Sequence, residues 1–478
     1  MNLSEGAARP RLGVLLVTSG WFREVGLQGA GSDTSESVAR AGSEIVERIA
    51  DFAEPVCDGV LFSAEDAEKA GRKMRENGVD GILLVPLMWC EDAIPRAALG
   101  HLRGVPLALW TYSPGVSLPE RLPFQVMLRG SGAVCTMQLS GMLKREGVGF
   151  RSIVGHAGDA AVFQEIESFA RATAVRRCLH DAKIGMLPFP CDQMSATWVD
   201  EFGLRARYGV QVRHLTLERV RRCAAGCSRD EVAAFRQATV RSGARIEVDD
   251  RNLEEGIRYA LALGQVIREE GLSALSLNDV IAEMHESFGL RPCLCNPALS
   301  DSGAVISMEA DIGAAVAMLA LRLFTGSSPF YTEPLSADYA ANALIMGHAG
   351  YHDIRNADPA APVRIIPDVE YENSDRFTGA ASYFKYRAGE VTVVNSVWDG
   401  KGLQWCCAEG RSLAGPARLE GNAHLVFQPE LPLKEFYRSA VSAGVSQHWQ
   451  FVRGHIAAEL ALLCDVLGVR CIRLDGQG

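Results

Sequence analysis

No stretch of this chain reaches the roughly 18 uncharged apolar residues that a membrane-spanning helix needs, which excludes a helical membrane protein. The first apolar run is short, contains Gly13 and Thr18, and follows Arg9 and Arg11. It lacks the small-residue cleavage signal of an export sequence and reads as a first β-strand, Leu12–Thr18, so a cytoplasmic location is expected. None of the thirteen cysteines forms a C-x-x-C pair; the nearest groupings are Cys223 with Cys227, Cys293 with Cys295, and Cys406 with Cys407. Zinc ribbons and dithiol redox sites use other spacings, which leaves reduced, mostly buried thiols. The chain has no P-loop and no G-x-G-x-x-G; the R-G-S-G at 129–132 lacks both the pattern and its strand–turn–helix setting. There is no internal repeat, low-complexity tract or long linker. Positive charge is in deficit: 48 Lys and Arg against 58 Asp and Glu give a formal net charge of −10. That balance disfavours nucleic acid and anionic membrane as partners.

What is present is an ordinary globular composition, 48% apolar and 22% charged, in 478 residues. That length predicts two or three domains. Early on, apolar runs at Leu12–Thr18, Cys57–Phe62, Gly81–Leu87 and Val105–Trp110 alternate with helical periodicity at Ser35–Ala53 and Ala64–Glu76. Such alternation predicts a doubly wound parallel sheet. A second α/β unit starts at the strand from Lys183. It continues through a helix over Asp250–Glu270, strands at Ala274–Leu277 and Gly303–Met308, and a helix from Ala310 to Phe324 ending at Gly326. Beyond about residue 330 short strand candidates dominate: Val363–Val369, Ser382–Tyr386, Val391–Val397, Leu403–Cys407 and His424–Phe427. They predict an antiparallel sheet or small barrel. A last helix over His455–Leu467 and a strand over Val469–Leu474 follow. The expected class is therefore α/β. Two Rossmann-like parallel-sheet domains, residues 1–175 and 176–330, precede a mostly antiparallel, barrel-like domain, residues 331–478.

Glu309 sits where a parallel strand ends and a helix begins, the edge at which open α/β sheets bind ligands. Glu333 follows 24 residues later, after one helix and one short strand, a spacing that can bring both carboxylates to one sheet edge. His348 lies between an apolar run and a glycine turn, and His448 between polar and aromatic residues before the last helix. Two carboxylates with imidazole suit a divalent cation such as Mn2+, Mg2+ or Co2+. Composition and spacing alone favour a plainer reading: Glu309 as a carboxylate stabilised at a helix N-terminus, Glu333 as a surface charge. The other histidines, among them His101, His180, His214 and His424, read as solvated or hydrogen-bonded.

As an ordered set these residues resemble the L-fucose isomerase and L-arabinose isomerase superfamily. The strongest stretch is M-E-A-D-I-G-A-A-V-A-M-L-A-L-R-L-F-T-G-S-S-P-F-Y-T-E, in which an E-x-D opens a helix and an acidic residue follows an aromatic. The second is Q-H-W-Q-F-V-R-G-H-I-A-A-E-L, similar to the family's C-terminal segment. The resemblance implies that Glu309, Glu333 and His448 bind a metal, with Mn2+ expected before Mg2+ or Co2+. The M-G-H ending at His348 matches the arabinose branch, whose histidine also serves the metal; His455 matches a second histidine of the fucose branch. Asp311 and His455, with Trp89 of P-L-M-W, are the expected sugar contacts. The family's E-x-D usually carries Gly or Asn where this chain has Ala310. The implied reaction is aldose–ketose isomerisation through an enediol, with Glu309 and Glu333 moving the proton. The implied partners are a small sugar and further copies of the chain, as a trimer or hexamer. Two readings stay open beside it: another enediolate reaction (an epimerase or lyase) on a sugar acid or modified sugar, and a non-catalytic sugar-binding protein.

Overall fold

The computed structural model describes residues 9–24, 33–371 and 378–474. The chain divides into two compact units, residues 7–177 and residues 178 onward.

The first unit is built on a parallel sheet. Strands β1 (Arg11–Val17), β2 (Glu54–Val56), β3 (Gly81–Pro86), β4 (Leu107–Ser113) and β5 (Arg151–His156) lie in the order β2-β1-β3-β4-β5. The continuous apolar run G-I-L-L-V-P of β3 is buried at every position, as a central parallel strand covered on both faces requires. Helix α1 (Asp33–Ile49) and helix α2 (Ala64–Glu76) supply part of that cover. Ser63 caps α2 by accepting from the Asp66 N–H, and acidic residues in its first turn and basic residues in its last match the helix dipole. The core runs from Leu15 and Leu84 to Leu109 and Leu139.

The second unit joins two sheets. Strands β6 (Lys183–Leu187), β7 (Gln211–His214), β8 (Ala274–Leu277) and β9 (Val305–Ser307) form a parallel sheet in the order β9-β8-β6-β7. Helix α3 (Asp250–Glu270) starts at the Asp249 cap and stops at left-handed Gly271. Helix α4 (Ile312–Thr325) is apolar almost all round and buried along its length, the signature of a helix with protein on every side. It packs between the parallel sheet and a second sheet made of β10 (Phe330–Asp338), β11 (Ala343–Gly347), β12 (Gly389–Trp398), β13 (Leu403–Ser412), β14 (His424–Pro429) and β15 (Trp449–Arg453). Each neighbour in the order β12-β15-β10-β11-β14-β13 pairs antiparallel, and β13 pairs with β12, so the six strands close into a barrel. Helix α5 (Ala457–Leu467) leads into a last strand, β16 (Cys471–Arg473), which adds parallel to β13. The barrel interior is packed with Phe330, Leu425, Phe427, Trp449 and Phe451. A small sheet of Arg245–Ile246, Arg364–Ile366 and Ala381–Tyr383 lies apart from both. The break expected near residue 330 falls inside this unit, between α4 and β10.

Two local expectations differ from the structure. The helix expected from Ala310 begins at Ile312, because Glu309 (φ 58°) and Ala310 (φ 55°) are both left-handed and Asp311 is the cap. His448 is followed by a barrel strand, β15, and the last helix begins only at Ala457. His424, expected to be solvated or hydrogen-bonded, is fully buried and hydrogen-bonded: its Nε2 accepts from the Arg418 and Leu419 N–H groups. Among the described residues all thirteen cysteines are free thiols, and no helix is long and apolar enough to cross a membrane.

Candidate active site

Strand β9 ends at Ser307, and two residues later the chain makes the turn that aims Glu309. Successive left-handed residues other than glycine are strained by about 1–2 kcal/mol each, so the surroundings must hold them. The Glu309 N–H donates to Asp279 Oδ1 at 2.8 Å, and the Ala310 N–H donates to the Leu277 carbonyl at 2.7 Å. The Tyr331 hydroxyl, from β10, donates to the Met308 carbonyl. Asp279 is in turn held by Arg291, whose Nη1 lies 3.5 Å from Asp279 Oδ2. That buried guanidinium also grips Asp368 through Nε and Nη2, each at 2.8 Å, and Glu370 through Nη1 at 2.9 Å.

Two imidazoles meet the Glu309 carboxylate. His348, directly after β11, places Nε2 at 3.4 Å from Oε1, and His448, directly before β15, places Nε2 at 2.8 Å from Oε2. Both rings are buried, and their Nδ1 atoms are engaged elsewhere. His448 Nδ1–H donates to Asp311 Oδ2 at 2.8 Å, and His348 Nδ1–H donates to the Ala349 carbonyl. The Tyr331 ring stands 4.9 Å from each imidazole. Beneath the His348 turn, His352 Nε2–H donates to the His348 carbonyl at 2.8 Å, and its ring packs on Phe330. Gly350 (φ 124°) is required here: a Cβ would meet the Met308 side chain at 2.7–2.8 Å.

The electrostatics follow from these contacts. Burial raises the Glu309 carboxyl, but hydrogen bonds and charge from His348 and His448 outweigh it and hold the group well below the usual carboxylate range. Burial also works against a charged His448, yet Asp311 and Glu309 push it up to about 9. His348 is raised in the same way, by Glu309 against burial. Asp279, fully enclosed, is raised by burial despite Arg291.

Glu309, His348 and His448 thus converge, each offering a ligand atom within 4.8 Å of the others. Glu333 is not one of this group. It lies half-buried on β10 opposite Gly347, two residues beyond Tyr331 and on the same strand face. Among the described residues its carboxylate has no hydrogen-bond partner. Asp311 is committed on both oxygens, Oδ1 to the Ala314 N–H that caps α4 and Oδ2 to His448. Both of its oxygens are thus occupied within the protein, where the resemblance implied a sugar contact. His455 stands at the surface beside Glu390 (2.9 Å) and Glu409 (3.7 Å), in a second, more exposed group with Glu409 and Glu430. Trp89 belongs to the first unit, half-buried against its core, with its indole N–H donating to Gln138 Oε1 at 2.8 Å.

No protein-family model matches the chain. The chain is similar to the sulfoquinovose isomerase of Clostridium sp. (strain MSTE9): 24% identical over 392 residues, 81% of this chain and 84% of that protein. The sulfoquinovose isomerases of Priestia aryabhattai and of Priestia megaterium (strain ATCC 12872 / QMB1551) are each 20% identical over 414 residues, 86% of this chain and 89% of theirs. Among solved structures, an ABC transporter periplasmic solute binding protein from Actinobacillus succinogenes 130z with bound D-allose aligns with 67% of this chain and 92% of its own. It is 13% identical with a TM-score of 0.16, a likeness too slight to bear on fold or function.

Three supporting residues, Asp279, Arg291 and His352, belong to no motif of the sequence, and Tyr331 stands in the F-Y-T-E stretch without a role assigned to it. Asp279 had a usable signal, since a carboxylate two residues past the parallel strand β8 occupies the same sheet edge as Glu309. Arg291 had none, because its partners Asp279 and Asp368 lie 12 and 77 residues away in sequence.

Proposed function

We propose that this protein is a metal-dependent aldose–ketose isomerase acting on a sulfonated hexose of the sulfoquinovose type. One observation carries the reading: two buried imidazoles present Nε2 to a single strained glutamate while fixed acceptors occupy both Nδ1 atoms. The extended likeness to proteins named sulfoquinovose isomerase supports a sugar isomerase and suggests the substrate class.

The donor set fits a divalent cation. A ligating histidine presents one bare nitrogen and donates its other N–H to a carboxylate or carbonyl, and both histidines here have that second partner. Glu309, His348 and His448 would hold the ion, Mn2+ ahead of Mg2+ or Co2+, since one carboxylate with two imidazoles is a mixed hard and borderline set. When bound, the ion polarises the sugar carbonyl and offsets negative charge developing on its oxygen.

The chain's own residues do the rest. Asp311 fixes the His448 tautomer and ring angle. Tyr331 packs its ring against both imidazoles, 4.9 Å from each, and so fixes their positions. Glu309 stays ionised at neutral pH. Glu333, without a hydrogen-bond partner among the described residues and on the same strand face as Tyr331, takes the proton from C2 of the open-chain aldose and returns it at C1 of the enediol, while the O2 hydroxyl proton passes to O1.

The test is proton NMR of sulfoquinovose incubated with metal-stripped protein, before and after adding Mn2+. The 2-ketose should form only with metal, and Glu309→Gln should neither retain Mn2+ nor turn over. Full activity after exhaustive EDTA treatment would overturn the metal. No conversion of sulfoquinovose, fucose or glucose with Mn2+ present would overturn the isomerase.

A further inference from the structure

Helix α4 has Glu309 just before its N-terminal end and a single charged residue inside it, Arg322, near the other end. Arg322 is 5% exposed. Its Nη2 donates to the Ser300 carbonyl at 3.0 Å, and its Nε has no hydrogen-bond partner among the described residues. Arg322 lines a cavity of about 490 Å3 with Asp301, Ser328, Asp353, Arg355 and Arg453. The two carboxylates are already engaged by one arginine. Arg355 forks onto Asp353, with Nη2–Oδ2 at 2.7 Å and Nε–Oδ2 at 2.9 Å, and reaches Asp301 at 2.7 Å. Arg453, the exposed last residue of β15, has no side-chain hydrogen bond or ion pair among the described residues. Three guanidinium groups thus face two carboxylates. Burial, and then the charge of Arg355, weaken the charged form of Arg322 more than Asp353 and Asp301 support it. A buried cation that its neighbours leave undercompensated calls for an anion, and the guanidinium fork matches tetrahedral oxygens.

We propose that this cavity binds a phosphorylated small metabolite, with its phosphate seated among Arg322, Arg355 and Arg453. The volume exceeds what a bare phosphate ion fills and lies within the roughly 300–1,000 Å3 of small-molecule sites. The site is separate from the reaction centre: the 14 residues of α4 put about 20 Å between its ends.

Calorimetric titration of the full-length protein, at ionic strength fixed with chloride, tests the assignment. Inorganic phosphate and glucose 6-phosphate should bind, glucose should not, and the ester should bind at least fivefold more tightly than the free ion. Arg453→Gln, a change at an exposed position, should weaken both by at least tenfold, with its melting temperature and basal isomerase activity unchanged. Glu309→Gln should leave phosphate binding intact, which separates this site from the proposed catalytic one. Absence of phosphate binding, or equal affinity in Arg453→Gln and wild type, overturns the site. Equal affinity for free phosphate and its ester overturns the metabolite. Loss of the binding in Glu309→Gln would place it at the reaction centre and overturn the separate cavity.

Discussion

Replacing Asp311 separates two tasks that one carboxylate performs. Its Oδ1 accepts from the Ala314 N–H and starts α4; its Oδ2 accepts from His448 and sets the ring. Alanine removes both. Loss of a helix cap costs about 1 kcal/mol. A buried imidazole N–H left without an acceptor costs about 1–3 kcal/mol more. Asp311→Ala should therefore lose about 2–4 kcal/mol of stability. Asparagine can keep the cap, because its amide oxygen accepts as well as a carboxylate does, but its NH2 then faces a nitrogen that also wants to donate. Asp311→Asn should thus be about 1 kcal/mol more stable than Asp311→Ala. Both variants should lose Mn2+ affinity about equally, by about 10–100-fold, since an outer-shell partner of a ligating histidine contributes on that scale. That is about 1.4–2.8 kcal/mol. Urea denaturation of the metal-free variants measures the first quantity and calorimetric Mn2+ titration the second. If Asp311→Asn binds Mn2+ like wild type, the carboxylate does not orient His448, and the reading of the centre built on both Nδ1 partners fails.

Glu333→Gln should lower kcat by about 10²–10⁴, the usual contribution of a positioned acid or base, while bound Mn2+ stays stoichiometric; an unchanged kcat removes Glu333 from the proton path. Arg291→Met would leave Asp279 and Asp368 buried without their cation, so unfolding should become easier by about 3–5 kcal/mol, and a denaturation midpoint equal to wild type would contradict that accounting. For the metal-free protein the two raised or lowered groups set a pH window. His448 lies above its ordinary 6.5, so its contribution is complete below that pH and is lost as pH climbs through about 9. Glu309 lies below its ordinary 4.5, so its contribution is present above that pH and is lost as pH falls further. Urea midpoints should accordingly decline from pH 7 to pH 9.5 and again below pH 4.5, and a midpoint that rises steadily to pH 9.5 would be incompatible with these contacts.

Much of the architecture was legible because the patterns were local. The β3 run is continuous and apolar, and α2 and α3 carry caps and terminators within a few residues of their ends, so periodicity and punctuation locate them. The strand–helix junction at Glu309 was legible for the same reason. Its conformation was not. The resemblance showed Ala310 where relatives favour Gly or Asn, and the structure gives the physical reason those residues suit the position: its φ is 55°. The environment of Glu309, with the Leu277 carbonyl and Asp279 as acceptors, sustains that conformation in an alanine. Strand β15 is not legible in the sequence because its W-Q-F-V-R alternation is short and runs into a glycine before α5. The convergence of Glu309 with two histidines was suggested by ordered resemblance, not by spacing, since nothing local links positions so distant in sequence. Asp279 and Arg291 escaped for a related reason: their importance lies in a buried charge chain that exists only once the fold has closed.

The three convergent side chains have a consequence for how this protein can be monitored. Glu309 and His348 are separated by 39 positions (348 − 309), and His348 and His448 by 100 (448 − 348). They come from the end of the parallel sheet, the exit of β11 and the entrance of β15. A one-residue slip in either barrel strand would turn its histidine away. Any ion that needs all three donors therefore discriminates between the correctly registered unit and every partly assembled form of it. Its occupancy would be a readout of folding fidelity. By mass action it would also deepen the native well, by about 2.7 kcal/mol when free ion stands at a hundred times its Kd.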